Sequence, residues 1–380
     1  MPPKRTGWPS RFEIRIMRNK VVTFGEILGR LTPGGGLRLI QACPGAFQLA
    51  PAGSEVNVAV SIALLGGQAE FVSALPDHAV ARAFIANIRG LGVDTSHVVL
   101  TDSGRLGMFF CEPGANQRPS KVIYDREGSA FSAVPGDRYP WESIFEDARW
   151  FHVSGITLAL SRVASRAAID AARAARERGL TVSCDLNFRK QLWRWDPELP
   201  PRRLAQTTMR ELLASADVLI GNEQDAEDVL GIGVPRLDAP QEPDPADAYR
   251  EVAAEISRQF PRLSKVAITL RESISASHNR WGGMLYDCAA RQAHFAPWKA
   301  GAYRPYPIMP IVDRVGAGDA FAAGLIFALL APELQAPPAA LSFAVAASCL
   351  AHSVVGDFNF STRDEVEALM NGSESGRIQR

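Results

Sequence analysis

The sequence predicts an α/β protein with a mostly parallel sheet, helices on both faces of that sheet, and a small additional β-sheet. Short β-branched runs alternate with longer amphipathic segments along most of the 380 residues, and this alternation is typical of parallel sheets. Two stretches, 30–52 and 104–128, instead have Gly/Pro turns and alternating apolar positions without a helical period. We expect both to be hairpins that form a small antiparallel sheet over one end of the main sheet.

The individual elements follow from the local patterns in chain order. Strands are predicted where short runs of β-branched or apolar residues occur, and helices where the apolar residues recur at helical spacing or fill a long buried segment. In order, these are a strand at 21–24, a helix at 55–65, a strand at 70–72, a helix at 79–91, a strand at 150–153, a helix at 162–178, strands at 180–185 and 218–221, a helix at 245–260, a strand at 266–270 and a helix to 331. Ligands bind at the carboxyl ends of the strands in such sheets, so the small sheet would act as a lid that excludes water.

The charge balance argues against a nucleic-acid binder. The chain has 41 basic and 41 acidic side chains, but residues 1–20 carry six basic groups against Glu13 alone, a local charge of +5. Such a tail could be a transit peptide, an anion-binding arm or a solvated extension, and the absence of Ser richness and of an apolar stretch favours the extension. We therefore expect a basic extension at 1–20 and one domain at 21–380.

Cysteine spacing and apolar runs indicate a cytoplasmic protein without a membrane span. The five cysteines lie at least 61 residues apart with no CxxC pair, which predicts neither a disulfide framework nor a zinc site. The longest apolar stretch, 320–331, has 12 residues, whereas a membrane span needs about 20.

The strongest chemical motif is the run DRVGAGDAF, from Asp313 to Phe321, which opens the apolar helix that ends at 331. Small residues before a helix let its first N–H groups approach an anion, and a carboxylate there can deprotonate a hydroxyl that attacks phosphorus. Helix capping alone would also explain a bare GxGD. Competing signatures are absent from the sequence: it has no Walker A loop, no GxGxxG after a strand, no GxSxG and no clustered histidines.

Three segments together resemble the ribokinase-like (PfkB) sugar kinases: this GAGD helix, the AGSEVN segment at 52–57 and the NEQD run at 222–225. Further segments are similar to the 2-keto-3-deoxygluconate kinase branch: QRPSKVIYDR at 117–126, FHVSGIT at 151–157, CDLNFR at 184–189, TLRESISA at 269–276 and AVAASCLAHSVVGDFN at 344–359. The resemblance runs from about Val21 to the C-terminus and implies a three-layer α/β/α sandwich with a β lid.

The resemblance also implies the catalytic roles. Asp319 would be the general base that takes a proton from the acceptor hydroxyl. The amides of Gly316, Ala317 and Gly318 would form the anion hole for the transferred phosphoryl group.

Substrate residues are implied in the same way. Gly53 and Asn57 match the family's substrate loop, while Tyr124, Arg126 and Arg189 match residues that hold a carboxylated sugar in this branch. Phe109 stands where the branch often has tyrosine. Guanidinium forks suit a carboxylate, and Arg118 is a weaker candidate near them.

For the nucleotide, the resemblance implies ATP with Mg²⁺. Asn222 and Asp225 match an NxxE-type segment that organises the hydrated ion, Thr269 falls in the ATP site, and Arg314 faces phosphate or substrate carboxylate or pairs with Asp313. No protein residue is assigned as a direct metal ligand.

The leading hypothesis is therefore an ATP-dependent kinase of 2-keto-3-deoxygluconate. A neutral-sugar kinase of the ribokinase or fructokinase type and a catalytically silent sugar-acid binding protein are the alternatives. The resemblance further implies a homo-oligomer, a dimer through the lid. The sequence leaves the sugar epimer open.

Overall fold

The computed structural model describes residues 19–233 and 245–372. Its strands are, in chain order, β1 (Lys20–Phe24), β2 (Leu28–Pro33), β3 (Phe47–Ala52), β4 (Ala69–Pro76), β5 (Val98–Thr101), β6 (Met108–Glu112), β7 (Lys121–Asp125), β8 (Ala148–Ser154), β9 (Thr181–Asp185), β10 (Val218–Gly221), β11 (Lys265–Ser275), β12 (His278–Asp287), β13 (Gln292–Ala296), β14 (Trp298–Lys299), β15 (Ala302–Tyr303) and β16 (Tyr306–Ile308).

The helices complete the element order. They are α1 (Leu39–Ala42), α2 (Ser54–Leu64), α3 (Ala79–Gly90), α4 (Ala130–Ala133), α5 (Trp141–Ile144), α6 (Gly155–Leu160), α7 (Arg162–Glu177), α8 (Pro201–Leu213), α9 (Glu223–Asp225), α10 (Pro245–Gln259), α11 (Ala317–Leu330), α12 (Pro337–Ala351) and α13 (Arg363–Met370). A π-helical turn, Ala226–Leu230, follows α9, and 3₁₀ turns occur at Gly34–Gly36 and Gly136–Arg138.

The main sheet has the order β13-β12-β11-β10-β9-β8-β1-β4-β5. From β11 to β5 every neighbouring pair is parallel, whereas β12, β13 and β16 add antiparallel partners at one edge. The mostly parallel sheet predicted from the sequence is confirmed. The hairpin β11–β12 runs well beyond the predicted strand at 266–270. Its second strand was not predicted, because the Gly282-Gly283 pair interrupts the apolar pattern that would have indicated β12.

Side chains alternate between two helix layers on opposite faces of the sheet. Val21 and Val218 pack on the side of α2, α11 and α12, while their neighbours Val22 and Leu219 pack on the side of α7 and α8. Successive strand residues point to opposite faces, so both faces of the sheet are buried. This is the expected three-layer α/β/α sandwich.

The lid is a separate sheet of order β3-β2-β6-β7. Its outer pairs are antiparallel as predicted, but the central pair β2–β6 is parallel, so the prediction of a wholly antiparallel lid is wrong. The reason is connectivity: β2 follows β1 and β6 follows β5, and both parent strands run in the same direction in the main sheet. Strands that continue from the same edge of a parallel sheet keep one direction.

The predicted basic extension at 1–20 lies outside the described residues except for Asn19 and Lys20. Lys20 already belongs to β1, where its ammonium group lies 2.7 Å from the buried carboxylate of Glu70. No helix in the described ranges is long and apolar enough to cross a membrane.

Candidate active site

The carboxyl ends of the parallel strands and the lid enclose a cavity of about 530 Å³. All fourteen residues predicted for the site line this cavity, and they come from the lid, α2, the loops after β9 and β10, β11 and the start of α11. They are Gly53, Asn57, Phe109, Tyr124, Arg126, Arg189, Asn222, Asp225, Thr269, Arg314, Gly316, Ala317, Gly318 and Asp319. Arg118 is not among the lining residues, because its guanidinium binds Glu112 and the carbonyl of Pro113.

Asp319 lies in the first turn of α11, where the N–H groups have no partner within the helix. Its two carboxylate oxygens accept hydrogen bonds of 2.7 Å from the Ser54 hydroxyl and the Asn57 amide of α2. Burial raises the pKa of the Asp319 carboxyl to about 7, and the hydrogen bonds from Asn57 and Ser54 oppose that rise. A carboxyl with this pKa can both accept and release a proton near neutral pH.

Two glycines let the backbone take the shape that this arrangement needs. Gly316 caps α11 with φ of 83°, and a Cβ at this position would lie 2.1 Å from the carbonyl oxygen of Asp357. Gly53 precedes α2 with φ of 148°, and a Cβ there would lie 2.3 Å from the carbonyl oxygen of Glu26. Only glycine meets both requirements without strain.

The lid contributes an aromatic pair and an arginine that is already paired. Phe109 of β6 and Tyr124 of β7 are cross-strand neighbours with ring centroids 6.4 Å apart. The buried Arg126 donates two hydrogen bonds to one carboxylate oxygen of Glu26, which is also buried. The charge of Arg126 is therefore compensated before any ligand binds.

Arg189 differs from Arg126 in this respect. Its side chain is exposed and lines the cavity, and its guanidinium donates a hydrogen bond to the Phe188 carbonyl. In the described ranges no carboxylate lies within 4.0 Å of this guanidinium. At longer range its positive charge favours the ionised form of two buried carboxyls of the cavity, Asp185 and Asp225, and so opposes the rise in their pKa.

Asp185 and Asp225 form the acidic part of the cavity wall. Burial raises the pKa of both carboxyls, and for Asp185 the neighbouring Asp225 and Asp319 carboxylates raise it further. Asn222 caps the short helix α9 and holds Asp225 from both sides, through its side-chain oxygen and its amide. Within 19–233 and 245–372, no three His, Cys, Asp or Glu side chains converge as a metal site.

The opposite part of the wall comes from β10, the hairpin β11–β12 and α12. Thr269 donates a long hydrogen bond of 3.5 Å to the Gly221 carbonyl, and His352 packs its ring edge-on against Trp281 at 4.9 Å. Arg314 donates from Nη2 to the carbonyls of Ala276 and Ser275, at 2.6 and 3.4 Å.

A buried arginine holds the loop before α11. Arg30 of the lid strand β2 pairs with Asp313 at 2.5 Å and with Asp357 at 2.7 Å. Asp313 also accepts the backbone N–H groups of Arg314 and Val315. Of the options left open for Arg314, pairing with the Asp313 side chain is therefore not what the structure has, because Arg30 takes that carboxylate.

Several cavity residues were not singled out from the sequence. They are Glu26, Ser54, Asp185, Asn187, Arg271, Asn279, Trp281, His352 and Asp357. Most of them lie inside segments that carried the family resemblance, and Glu26 follows the first strand at its carboxyl end. A polar residue just after a predicted parallel strand was thus the signal that could have found Glu26.

Comparisons with known proteins agree with this architecture. The three-layer sandwich with its β lid is the fold of ribokinase-like kinases: a putative ribokinase II from E. coli, solved with ATP and Mg²⁺, shares it at a TM-score of 0.70 and 21% identity, over 93% of this chain and 99% of that one. Residues 19–269 match the pfkB family carbohydrate kinases. The chain belongs to this family, as the sequence predicted.

Three relatives are more similar. The 2-dehydro-3-deoxygluconokinase structure from Thermotoga maritima has a TM-score of 0.82 and 41% identity, covering 93% of this chain and all of that one. The 2-dehydro-3-deoxygalactonokinase of Haloferax volcanii is 31% identical over 95% of this chain and 99% of its own length. The 2-dehydro-3-deoxygluconokinase of Thermoproteus tenax is 32% identical over 89% of each chain.

Proposed function

We propose that the protein transfers the γ-phosphoryl group of ATP to a hydroxyl of a 2-keto-3-deoxy sugar acid, in the first place 2-keto-3-deoxygluconate, to give its 6-phosphate. The observation that carries this proposal is the position of Asp319: a buried carboxyl with a pKa of about 7 lies at a helix N-terminus inside a cavity lined by arginines. We infer the substrate class, a 2-keto-3-deoxy sugar acid, from the activities for which the three similar kinases above are named.

In the proposed reaction, Asp319 accepts the proton of the attacking hydroxyl through an oxygen that Ser54 or Asn57 holds in place. The amides of Gly316, Ala317 and Gly318 stabilise the charge on the transferred group, and each such donor is worth about 3 kcal/mol in the transition state. Closure of the lid strands over the cavity keeps water from competing as the acceptor.

The acidic wall fits a hydrated Mg²⁺ ion. Asp225 already accepts hydrogen bonds from Asn222 and from the backbone of Phe188, which suits contact with the ion through water rather than directly. Burial raises the pKa of both Asp185 and Asp225, and the Asp225 carboxylate raises that of Asp185 further, so a nearby cation would favour the ionised forms of both. When bound, the ion would neutralise charge on the phosphates.

Arg189 is the residue that we assign to the carboxylate of the sugar acid, because its guanidinium has no acidic partner, whereas Arg126 is neutralised by Glu26. Arg126 and Glu26 would instead offer a fixed donor–acceptor pair to hydroxyl or keto oxygens, beside Tyr124 and Phe109. Gly53 and Asn57 complete this sugar side of the cavity.

An ATP-consumption screen tests the proposal. 2-Keto-3-deoxygluconate and its galactonate epimer are compared with fructose and ribose, and we expect turnover with at least one acid at a kcat/KM far above that for either neutral sugar. Preference for fructose or ribose would favour the neutral-sugar kinase, and binding of the acid without ATP consumption would favour the silent binding protein.

The variant Arg189→Leu makes the test specific for charge. We expect it to raise KM for the acid about 10- to 100-fold, because a hydrogen-bonded charge pair is worth about 1.5–3 kcal/mol, and to leave KM for a neutral sugar nearly unchanged. Arg189→Lys, which keeps the charge, is the matched control. Equal increases for both kinds of sugar would contradict the assignment.

The outer face of the lid supports a homodimer. Leu49, Leu31, Phe110 and Ile123 form one cross-strand row, and the alternation along β6 and β7 puts this row on the face opposite Phe109 and Tyr124. Leu49 and Ile123 are 44% and 42% exposed. We expect Ile123→Asp to dissociate a dimer in sedimentation experiments.

The matched control is Val163→Asp on α7, which should leave the assembly unchanged. A wild-type protein that sediments as a monomer would refute the dimer.

The thiols of Cys43, Cys111, Cys184 and Cys288, none in a disulfide, support a cytoplasmic location, which cell fractionation can test.

A further inference from the structure

Two arginines line the same part of the cavity on elements that carry none of the sugar-side residues. Arg271 lies on β11 two positions after Thr269, so both side chains leave the same face of the strand. Arg314 lies in the loop that leads into α11. Both residues, with Thr269 and the GAG amides, belong to the wall of the cavity.

The two guanidinium groups act on each other electrostatically. Burial lowers the pKa of Arg314 and the charge of Arg271 lowers it further, while the Asp313 carboxylate opposes both effects at longer range. Both arginines also disfavour the charged form of His352, beside them in the wall. Like charges that reach one another across a cavity wall repel unless an anion lies between them.

These charges have no acidic partner in the parts of the chain that the structure describes: no carboxylate there lies within 4.0 Å of either guanidinium. The neighbouring carboxylates form ion pairs with other arginines: Glu272 pairs with Arg280, and Asp313 pairs with Arg30.

The orientation of Arg314 leaves donors free for a ligand. Within the described residues its side-chain hydrogen bonds leave from Nη2 and end on carbonyl oxygens of the β11–β12 hairpin, which do not cancel its charge. Arg271 is exposed, so its guanidinium reaches a ligand without first breaking an ion pair. A fixed and an adaptable guanidinium together suit an extended anion with several oxygens.

We infer that Arg271 and Arg314 form a clamp for the phosphate chain of the nucleotide, so that affinity depends on the number of phosphates rather than on the adenosine part. This assignment rests on the proposed function for its choice of anion. Arg189 already suffices for a single carboxylate, and the clamp adjoins both Thr269 and the anion hole. Arg271 is thereby a phosphate-binding residue of the nucleotide site that sequence reasoning did not single out.

Arg271→Gln tests the clamp, because this exposed side chain can be changed without exposing the core. We expect KM for ATP to rise about 10- to 100-fold, with KM for the sugar acid unchanged. In calorimetric titrations of the full-length protein, ADP should bind the variant 10- to 100-fold more weakly, whereas adenosine should bind wild type and variant equally.

Arg280→Gln is the matched control, since it removes an arginine of the same hairpin that pairs with Glu272 and does not line the cavity. Arg271→Lys should recover part of the ADP affinity. A second variant, Arg314→Lys, keeps the charge but loses the fork, and should weaken ADP binding while its melting temperature reports any loss of folding.

A rise in KM for the sugar acid with KM for ATP unchanged would overturn the clamp in favour of a second carboxylate site. Equal ADP affinity in wild type and Arg271→Gln would also overturn it. Wild-type protein that consumes no ATP with any sugar would contradict the proposed function alone, because ADP and adenosine titrations still decide on the clamp.

Discussion

Replacing Asp319 by Asn should lower kcat strongly and at the same time stabilise the folded protein at neutral and higher pH. The carboxyl has a pKa of about 7 in the folded state against an ordinary 3.8. At 1.36 kcal/mol per pH unit, the ionised form therefore costs the folded state about 4 kcal/mol. An amide oxygen can still accept one of the two hydrogen bonds, from Ser54 or Asn57, and the amide nitrogen can donate to the other side chain's oxygen once that side chain reorients, all without the charge.

The sign of the pH dependence follows from the raised pKa. Below about pH 4 the carboxyl is protonated in both folded and unfolded chains and costs nothing. Between pH 4 and 7 the unfolded chain ionises first, so wild type loses stability, and above pH 7 the loss is complete. The advantage of Asp319→Asn should therefore grow by about 2.5 kcal/mol between pH 5 and pH 8.

Urea denaturation of wild type and variant at the two pH values measures this difference. Asp287→Asn is the control: a backbone hydrogen bond from Ala290 lowers the pKa of Asp287, so the residue is ionised in both states throughout this pH range and its stability difference should stay constant. The kcat of Asp319→Asn should fall about 10²- to 10⁴-fold, the usual contribution of a general base. An advantage that stays flat or shrinks from pH 5 to pH 8 would refute the reasoning.

Three further predictions concern the same site. Since only ionised Asp319 accepts a proton, kcat/KM should rise with pH to a half-maximum near pH 7, and a flat profile between pH 5.5 and 8.5 would contradict this. Gly316→Ala should lower both kcat and the melting temperature, because its Cβ would lie 2.1 Å from a carbonyl oxygen at a φ of 83°; Gly318→Ala, whose Cβ meets nothing within 4 Å, should keep the wild-type melting temperature. Arg30→Met should cost about 3–5 kcal/mol in urea denaturation, because it leaves the buried Asp357 and the partly buried Asp313 without their cationic partner, and a loss below about 1 kcal/mol would show that the pairing is not needed.

Most of the fold was predictable because its signals are local. The parallel strands are short apolar runs, and the helix at Asp319 is marked by the glycines before it and by a continuous apolar segment after it. The parallel pairing of β2 with β6 was not predictable in this way, because it depends on the direction in which two distant strands leave the main sheet. The strand β12 was missed because Gly282 and Gly283 have no side chains to continue the pattern.

The site shows the same division. All fourteen residues that the sequence indicated line one cavity, since motif residues at the ends of parallel strands necessarily share one edge of the sheet. Their partners were not predictable, because Glu26 and Arg126 are a hundred residues apart and Arg30 lies far from Asp313 and Asp357 in the chain.

By itself, the sequence determined the family, most of the order of the elements and the candidate side chains of the site, because these depend on residue types and short spacings. Only the tertiary structure decided which charges are free to meet a ligand. The sequence alone does not distinguish Arg126 from Arg189, yet in the structure Arg126 is neutralised by the buried carboxylate of Glu26 and Arg189 is not. Burial and charge compensation depend on which residues surround a group in the folded chain. Burial therefore raises the pKa of Asp319, and the buried arginines are the ones that pair with carboxylates, whereas the exposed ones stay available to a ligand.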